Sequence, residues 1–224
     1  DYDRKKAQFS LLSAGVPGSV AGFHHALSNY GTLSWQEVLE PAIRLAEKGF
    51  VIPHDLANTL ASKRYRERLS SNPAAAKVFF KEDKGLYSAG EILIQKDLAS
   101  TLKELSKNGP DAFYSGKIAQ LIVEEMERNG GLITLEDLKN YNVAERQPLV
   151  GSYKGYEIVS MPPSSSGGTH LIQMLNMLEE FPLKEMGFGS ADTIHILAEV
   201  MKRAYADRSK YLGDSDFYKV PSSL

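Results

Sequence analysis

A turn rich in proline, serine and glycine limits how the second half of the chain can fold. It reads Met-Pro-Pro-Ser-Ser-Ser-Gly-Gly over residues 161–168. The two prolines disfavour a helical conformation just before them, so the β-prone run 156–161 is predicted to be a strand that ends here. From Thr169 onward, apolar residues leave only a narrow polar stripe, which is typical of a helix covered on most sides. The segment therefore predicts a strand, a turn and a core helix in succession.

The same turn contains the few residues that suggest chemistry. A glycine-rich turn that opens a helix points unpaired N–H groups outward, which favours a carboxylate or phosphate. Alternatively, the glycines only allow the helix to pack close to a sheet, and the sequence leaves both possibilities open. The spacing fits neither a Walker loop, nor a dinucleotide fingerprint, nor a Gly-x-Ser-x-Gly elbow. Residues 164–166, all serines, beside His170 are thus weak evidence for a serine hydrolase, and we expect His170 to be a helix-start residue.

Two structural expectations follow for this turn. We expect Gly167 or Gly168 at or near the helix start, with at least one serine hydroxyl bonded to the local backbone. We also expect the glycines to permit a sharp turn and the close approach of another backbone. If φ at Gly167 is positive, a β-branched residue there would fit badly.

Composition excludes several classes of site. The chain has 224 residues, of which 42% are hydrophobic and 24% charged, and its formal net charge is −2. This composition is typical of a globular protein, and it gives no basic field for a nucleic-acid partner. With no cysteine, a disulfide framework, a thiolate zinc site and a cysteine nucleophile are excluded. No run of about 18 apolar residues occurs, so no membrane span is predicted.

Residues 19–141 are predicted to form a dense helical domain after a lead-in strand or loop over residues 1–18. Two capping boxes mark helix starts, one from Ser34 to Glu37 and one from Thr134 to Asp137. Asp97 is predicted to cap a further helix. The charged run 63–68 is predicted to be a solvated helix face. The predicted helices span residues 19–30, 34–48, 53–68, 97–107, 115–129 and 134–141.

Two adjacent histidines, His24 and His25, lie in the first of these helices. Neighbouring residues point to different sides of a helix, so the pair cannot share one metal-binding face. We expect one packed and one solvated histidine, and no metal site.

From residue 142 onward the pattern changes. Two β-rich runs, 147–153 and 156–161, flank Lys154-Gly155 and predict a hairpin. A last long helix is capped by Ser190, and its acidic and basic residues predict a charge ladder from Glu199 through Arg203 to Asp207. Its inward face is predicted to comprise Ile194, Leu197, Met201, Ala204 and Tyr205.

Four sequence blocks carry a resemblance to a known family. They are residues 12–22 (Leu-Ser-Ala-Gly-Val-Pro-Gly-Ser-Val-Ala-Gly), 130–138 (Gly-Gly-Leu-Ile-Thr-Leu-Glu-Asp-Leu), 161–168 followed by 175–179, and 204–214 (Ala-Tyr-Ala-Asp-Arg-Ser-Lys-Tyr-Leu-Gly-Asp). In this order, and over nearly the whole chain, they resemble the γ-glutamyltransferase (γ-glutamyltranspeptidase) family of N-terminal nucleophile hydrolases.

The resemblance implies an α+β fold, mainly α, in which a helical region is joined to part of an αββα sandwich over residues 142–224. It implies a precursor that cleaves itself into a large and a small subunit, with the new N-terminal threonine of the small subunit as nucleophile. That enzyme transfers or hydrolyses the γ-glutamyl group of glutathione and related compounds. It implies no metal or organic cofactor, and a periplasmic or secreted location.

By the same resemblance, this chain is expected to cover the middle and later part of the large subunit. The arginine that holds the substrate carboxylate is then expected upstream of Asp1, and the nucleophilic threonine downstream of Leu224. None of the six threonines, Thr32, Thr59, Thr101, Thr134, Thr169 and Thr193, lies in the family's processing motif. Nor do the three serines of the turn belong to the substrate-binding serines of the small subunit. No catalytic, substrate-binding or metal-binding residue is therefore assigned within the chain, and the chain alone is expected to be inactive.

Two alternatives remain from the sequence. One is a sister acylase of the same fold, such as a cephalosporin acylase or a poly-γ-glutamate depolymerase. The other is a stand-alone helical binding module.

Overall fold

A computed structural model describes residues 3–83 and 85–221, and for residues 4 and 5 it describes the backbone alone. The chain divides into two compact units, Asp1–Val143 and Ala144–Leu224. The fold is α+β and mainly α, as the sequence predicted.

The first unit is mainly helical. Its helices are α1 (Arg4–Phe9), α2 (Ser19–Tyr30), α3 (Trp35–Lys48), α4 (His54–Ala61), α5 (Lys63–Ser70), α6 (Pro73–Phe79), α7 (Lys96–Asn108), α8 (Asp111–Tyr114), α9 (Lys117–Asn129) and α10 (Leu135–Lys139). Two short strands, β1 (Phe50–Val51) and β2 (Ile92–Leu93), pair antiparallel.

The main core of this unit surrounds Tyr114. Its ring packs with buried Ala119, Met126 and Leu138, and Leu138 is fully buried. The Tyr114 hydroxyl donates to the Pro17 carbonyl at 2.7 Å and accepts from a backbone N–H at 3.2 Å. Burial raises the pKa of this hydroxyl, and the accepted hydrogen bond acts in the opposite direction. The tyrosine thus fixes the segment that enters α2.

Both predicted capping boxes are confirmed. Ser34 accepts from the Glu37 N–H, and Glu37 accepts from the Ser34 N–H at 2.7 Å. Thr134 and Asp137 form the same reciprocal pair at the start of α10. The hydrogen bonds from Ser34 and Thr134 lower the pKa of the Glu37 and Asp137 carboxyls, because they favour the charged form.

Several predicted element boundaries were wrong in the first unit. Asp97 is not the N-cap of α7, because the helix begins at Lys96 and its N-cap is Gln95. Asp97 lies in the first turn, where the helix dipole stabilises a carboxylate. The stretch predicted from residue 53 is two helices, because the backbone is extended at Ser62. The helix predicted over 115–129 starts only after extended Gly116. The lead-in, predicted as a strand or loop, forms α1 and a 3₁₀ turn at Leu11–Ser13, and residues 14–18 are a loop.

The second unit contains the predicted hairpin. Strands β3 (Leu149–Tyr153) and β4 (Tyr156–Ser160) pair antiparallel, with Tyr153 opposite Tyr156. The turn residues Lys154 and Gly155 both have positive φ, 47° and 82°, as a tight primed turn requires. Helices α11 (Ser166–Glu179), α12 (Leu183–Met186) and α13 (Ala191–Tyr211) follow, and α12 was not predicted.

One face of the hairpin is covered by α11 and the other is exposed. At Gly151 an added Cβ would lie 2.5 Å from an Ile172 side-chain carbon, so the strand and helix approach closely there. Val150 and Val159 pair across the opposite face and are exposed, as is Met161 just beyond β4. An exposed apolar surface is therefore present around residues 156–161.

Helix α13 corrects two predictions. Of the predicted inward face only Ala204 is buried, together with Val200, whereas the other four residues are exposed: Ile194, Leu197, Met201 and Tyr205. The apolar residues of α13 do recur at helical spacing, but α11 packs against the side of the helix that contains Val200 and Ala204. In the ladder, Arg203 pairs with Glu199 at 3.2 Å, whereas Asp207 accepts from Gln173 on α11 instead.

Candidate functional site

The candidate site is the turn at residues 161–168, here called the serine–glycine turn, which joins β4 to α11. Ser165 is the N-cap of α11, with extended backbone at φ −68° and ψ 133°. Its hydroxyl accepts from the Gly167 N–H at 3.1 Å. The predicted serine-to-backbone bond and the glycines near the helix start are both confirmed.

The condition of a positive φ is not met at either glycine, and the expected close approach of another backbone is confirmed for one of them. Neither Gly167 nor Gly168 has positive φ. A Cβ at Gly168 would lie 1.9 Å from the Met161 carbonyl oxygen, whereas at Gly167 the nearest atom is the Ser165 hydroxyl at 3.3 Å. Gly168 is therefore required by the close approach of two backbone segments.

His170 is buried on α11, and its contacts do not resemble those of a catalytic base. Its Nδ1 lies 3.3 Å from the Ser166 carbonyl oxygen, one helical turn back. Its Nε2 and the neighbouring Thr169 hydroxyl are buried, with no hydrogen-bond partner in the described part of the chain. Among the residues that the structure describes, no serine hydroxyl of the turn forms a hydrogen bond with His170. The structure therefore does not assemble a serine hydrolase site here.

The serines of the turn are divided between two cavities of the second unit. A larger cavity of about 730 Å³ includes Ser164, Ser165 and Arg146. The Arg146 guanidinium is already paired with Asp216, so its charge is compensated. A smaller cavity of about 240 Å³ includes Ser166 and His170. The larger cavity is lined by Ala144, Arg146, Pro148, Val159, Ser160, Met161, Pro162, Pro163, Ser164 and Ser165.

The smaller cavity also contains Tyr205 and Arg208 of α13, which the sequence did not single out. The sequence did contain a feature that distinguishes Arg208. The positions three and four residues away on the helix hold Ala204, Tyr205, Tyr211 and Leu212, so no acid can pair with it along α13.

The structure does not distinguish His24 from His25 by burial. Both are partly buried, so the expected solvated histidine was wrong. His24 packs edge-on against Trp35, with ring centroids 5.2 Å apart. Within the described ranges, no group of three or more histidine, aspartate or glutamate residues is placed to hold a metal. Nor does any helix there have the length and apolar character needed to cross a membrane.

Fold and site together define a mainly helical α+β protein whose second unit is a hairpin backed by two long helices. The family model described as gamma-glutamyltranspeptidase matches residues 1–224. The chain belongs to the γ-glutamyltranspeptidase family.

Individual relatives agree with this assignment. The glutathione hydrolase proenzyme of Escherichia coli is 50% identical over 220 residues, which is 98% of this chain and 37% of that protein. An acylase proenzyme, ACY 1 of a Pseudomonas species, is 44% identical over 93% of this chain and 37% of its own length. The crystal structure of Helicobacter pylori gamma-glutamyltranspeptidase superposes with a TM-score of 0.94 at 48% identity, covering 99% of this chain and 63% of that one. The chain thus spans somewhat more than a third of the curated relatives it matches.

Proposed function

We propose that this chain is part of the large subunit of a γ-glutamyltransferase that transfers or hydrolyses the γ-glutamyl group of glutathione and related compounds. The observation that carries the proposal is 50% identity to a glutathione hydrolase proenzyme along 98% of the chain. The word proenzyme in that relative's name supports a processed, two-subunit enzyme. We place the nucleophilic threonine at the start of the small subunit, as the family resemblance implies. Neither a metal nor an organic cofactor enters this proposal.

The role proposed for the chain itself is to supply framework. The described residues of the serine–glycine turn show no nucleophile paired with a base, and its best-placed histidine bonds only to backbone. The exposed hairpin face, with Val150 opposite Val159, is proposed to pack against small-subunit strands in an αββα sandwich. In this arrangement residues 1–18 are a lead-in, 19–141 a helical domain and 142–224 the partial sandwich.

A sister acylase is the alternative, because the ACY 1 acylase proenzyme is 44% identical over 93% of the chain. The two functions differ in the acyl group that the enzyme accepts. Activity assays with glutathione, poly-γ-glutamate and a cephalosporin as substrates distinguish them. The family resemblance also suggests a periplasmic or secreted location, for which fractionation of the producing cell is the test.

A segment exchange tests the proposed function. The corresponding 220-residue stretch of the E. coli glutathione hydrolase proenzyme is replaced by this chain. We expect the chimera to cleave itself into two subunits and to release the chromophore from a γ-glutamyl anilide. The matched control is the same chimera with the host's nucleophilic threonine changed to alanine, which must neither cleave nor hydrolyse. A soluble, folded chimera that stays uncleaved would contradict the proposal.

A further inference from the structure

The smaller cavity of the second unit is a candidate ligand site. Its volume of about 240 Å³ lies between the start of α11 and the C-terminal half of α13. That volume is below the range of pockets for drug-sized molecules, so it suits a small metabolite. The cavity is lined by Ser166, Gly167, His170, Leu171, Met174, Tyr205 and Arg208.

His170 brings an unpaired acceptor to this cavity. Its side chain is only 5% exposed. Because a carbonyl oxygen only accepts, the contact with Ser166 places a proton on Nδ1. In the neutral ring Nε2 then carries a lone pair, and it has no partner in the described part of the chain. A buried acceptor without a partner is costly, so a ligand O–H or N–H that reaches it is favoured.

Arg208 brings a guanidinium cation to this cavity. Its guanidinium makes no ion pair or hydrogen bond to the residues that the structure describes, whereas Arg203 on the same helix pairs with Glu199. A guanidinium fork matches a carboxylate in geometry and charge. The N-terminus of α11 lies at the same cavity and adds positive potential. These features favour a monoanion with a carboxylate head.

The remaining wall is apolar and consists of Leu171, Met174 and the Tyr205 ring. It favours a short aliphatic body and disfavours a second charge. We propose that this cavity binds a small 2-hydroxycarboxylate, whose carboxylate pairs with Arg208 and whose hydroxyl donates to Nε2 of His170. This site is additional to the framework role proposed above and does not depend on γ-glutamyl chemistry.

Titration of the 224-residue chain with lactate, followed by NMR, tests the site. The Met174 methyl group and the His170 ring nitrogens report on the cavity, with sodium chloride as the ionic-strength control. We expect saturable shifts of both, with a Kd on the order of 1 mM for so small a ligand. Propionate, which lacks the hydroxyl, should bind roughly two- to tenfold more weakly and leave Nε2 unshifted.

Two variants on α13 distinguish lactate binding at this cavity from a general effect of the protein's charge. Arg208→Gln should weaken lactate binding by about tenfold or more, because it removes the guanidinium group that pairs with the carboxylate. Arg203→Gln removes the same charge away from the cavity and should leave the affinity unchanged. Both side chains are exposed, so neither change threatens the fold. The proposal is overturned by the absence of saturable shifts, by equal affinity of the Arg208→Gln variant, or by a Met174 response with no change at His170.

Discussion

Gly168 is the residue of the serine–glycine turn for which the backbone leaves no space for a side chain. Gly168→Ala would place a methyl group 1.9 Å from the Met161 carbonyl oxygen, so strand β4 or helix α11 must move. We expect this change to lower the free energy of unfolding by about 1–3 kcal/mol, the usual cost of overpacking.

Gly167→Ala is the matched control for this prediction. Its Cβ meets only the Ser165 hydroxyl at 3.3 Å, and α11 already includes it in the first turn. We expect a neutral or slightly stabilising change, since alanine is the better helix former. Urea unfolding of both variants measures the difference, and equal losses at the two positions would contradict the packing argument.

Helix α10 has only five residues, so its stability depends on one buried side chain and on its cap. Leu138 is fully buried in the Tyr114 cluster, whereas Leu135 on the same helix is 47% exposed. Leu138→Ala should therefore cost about 2–5 kcal/mol of unfolding free energy, and Leu135→Ala much less. Thermal unfolding of the two variants checks this, and similar melting temperatures would show that α10 is not part of the core.

The cap of α10 gives a dependence on pH. Hydrogen bonds from Thr134 hold the pKa of Asp137 below its ordinary value. A carboxyl with a lowered folded pKa contributes stability above its unfolded pKa of about 3.9, and the contribution is lost as the pH falls through the folded value. Asp137→Asn should therefore lower the melting temperature at neutral pH, and the difference from the original chain should shrink on acidification.

Glu136→Gln provides the control, because it removes a neighbouring carboxylate that is not part of the capping box. A difference between Asp137→Asn and the original chain that stays constant down to acidic pH would show that the cap does not depend on charge.

Across the whole molecule, sequence reasoning succeeded where the determining contacts are local. The Ser34 and Thr134 caps depend on residues three positions apart, and the neighbouring residues Lys154 and Gly155 were enough to predict the hairpin turn. It failed where contacts with a segment distant in sequence determine the structure. The clash that requires Gly168 involves Met161 seven residues earlier, and no local pattern encodes it.

The same limit applies to α13 and to the smaller cavity. Periodicity identified an apolar stripe on α13, but which stripe is buried depends on where α11 packs, and Ile194 and Met201 remain exposed. His170 and Arg208 lie 38 positions apart in sequence and meet only because the two helices pack. The family blocks identified the protein class without indicating either contact.

We propose that this chain supplies framework to a γ-glutamyl enzyme and does not itself carry the nucleophile. Incubation of the purified 224-residue chain with a chromogenic γ-glutamyl anilide tests it most directly. We expect no anilide release above that of a heat-denatured sample. Release by the native chain alone, abolished by alanine at Ser164, Ser165, Ser166 or His170, would contradict it and place a nucleophile in the serine–glycine turn or beside it.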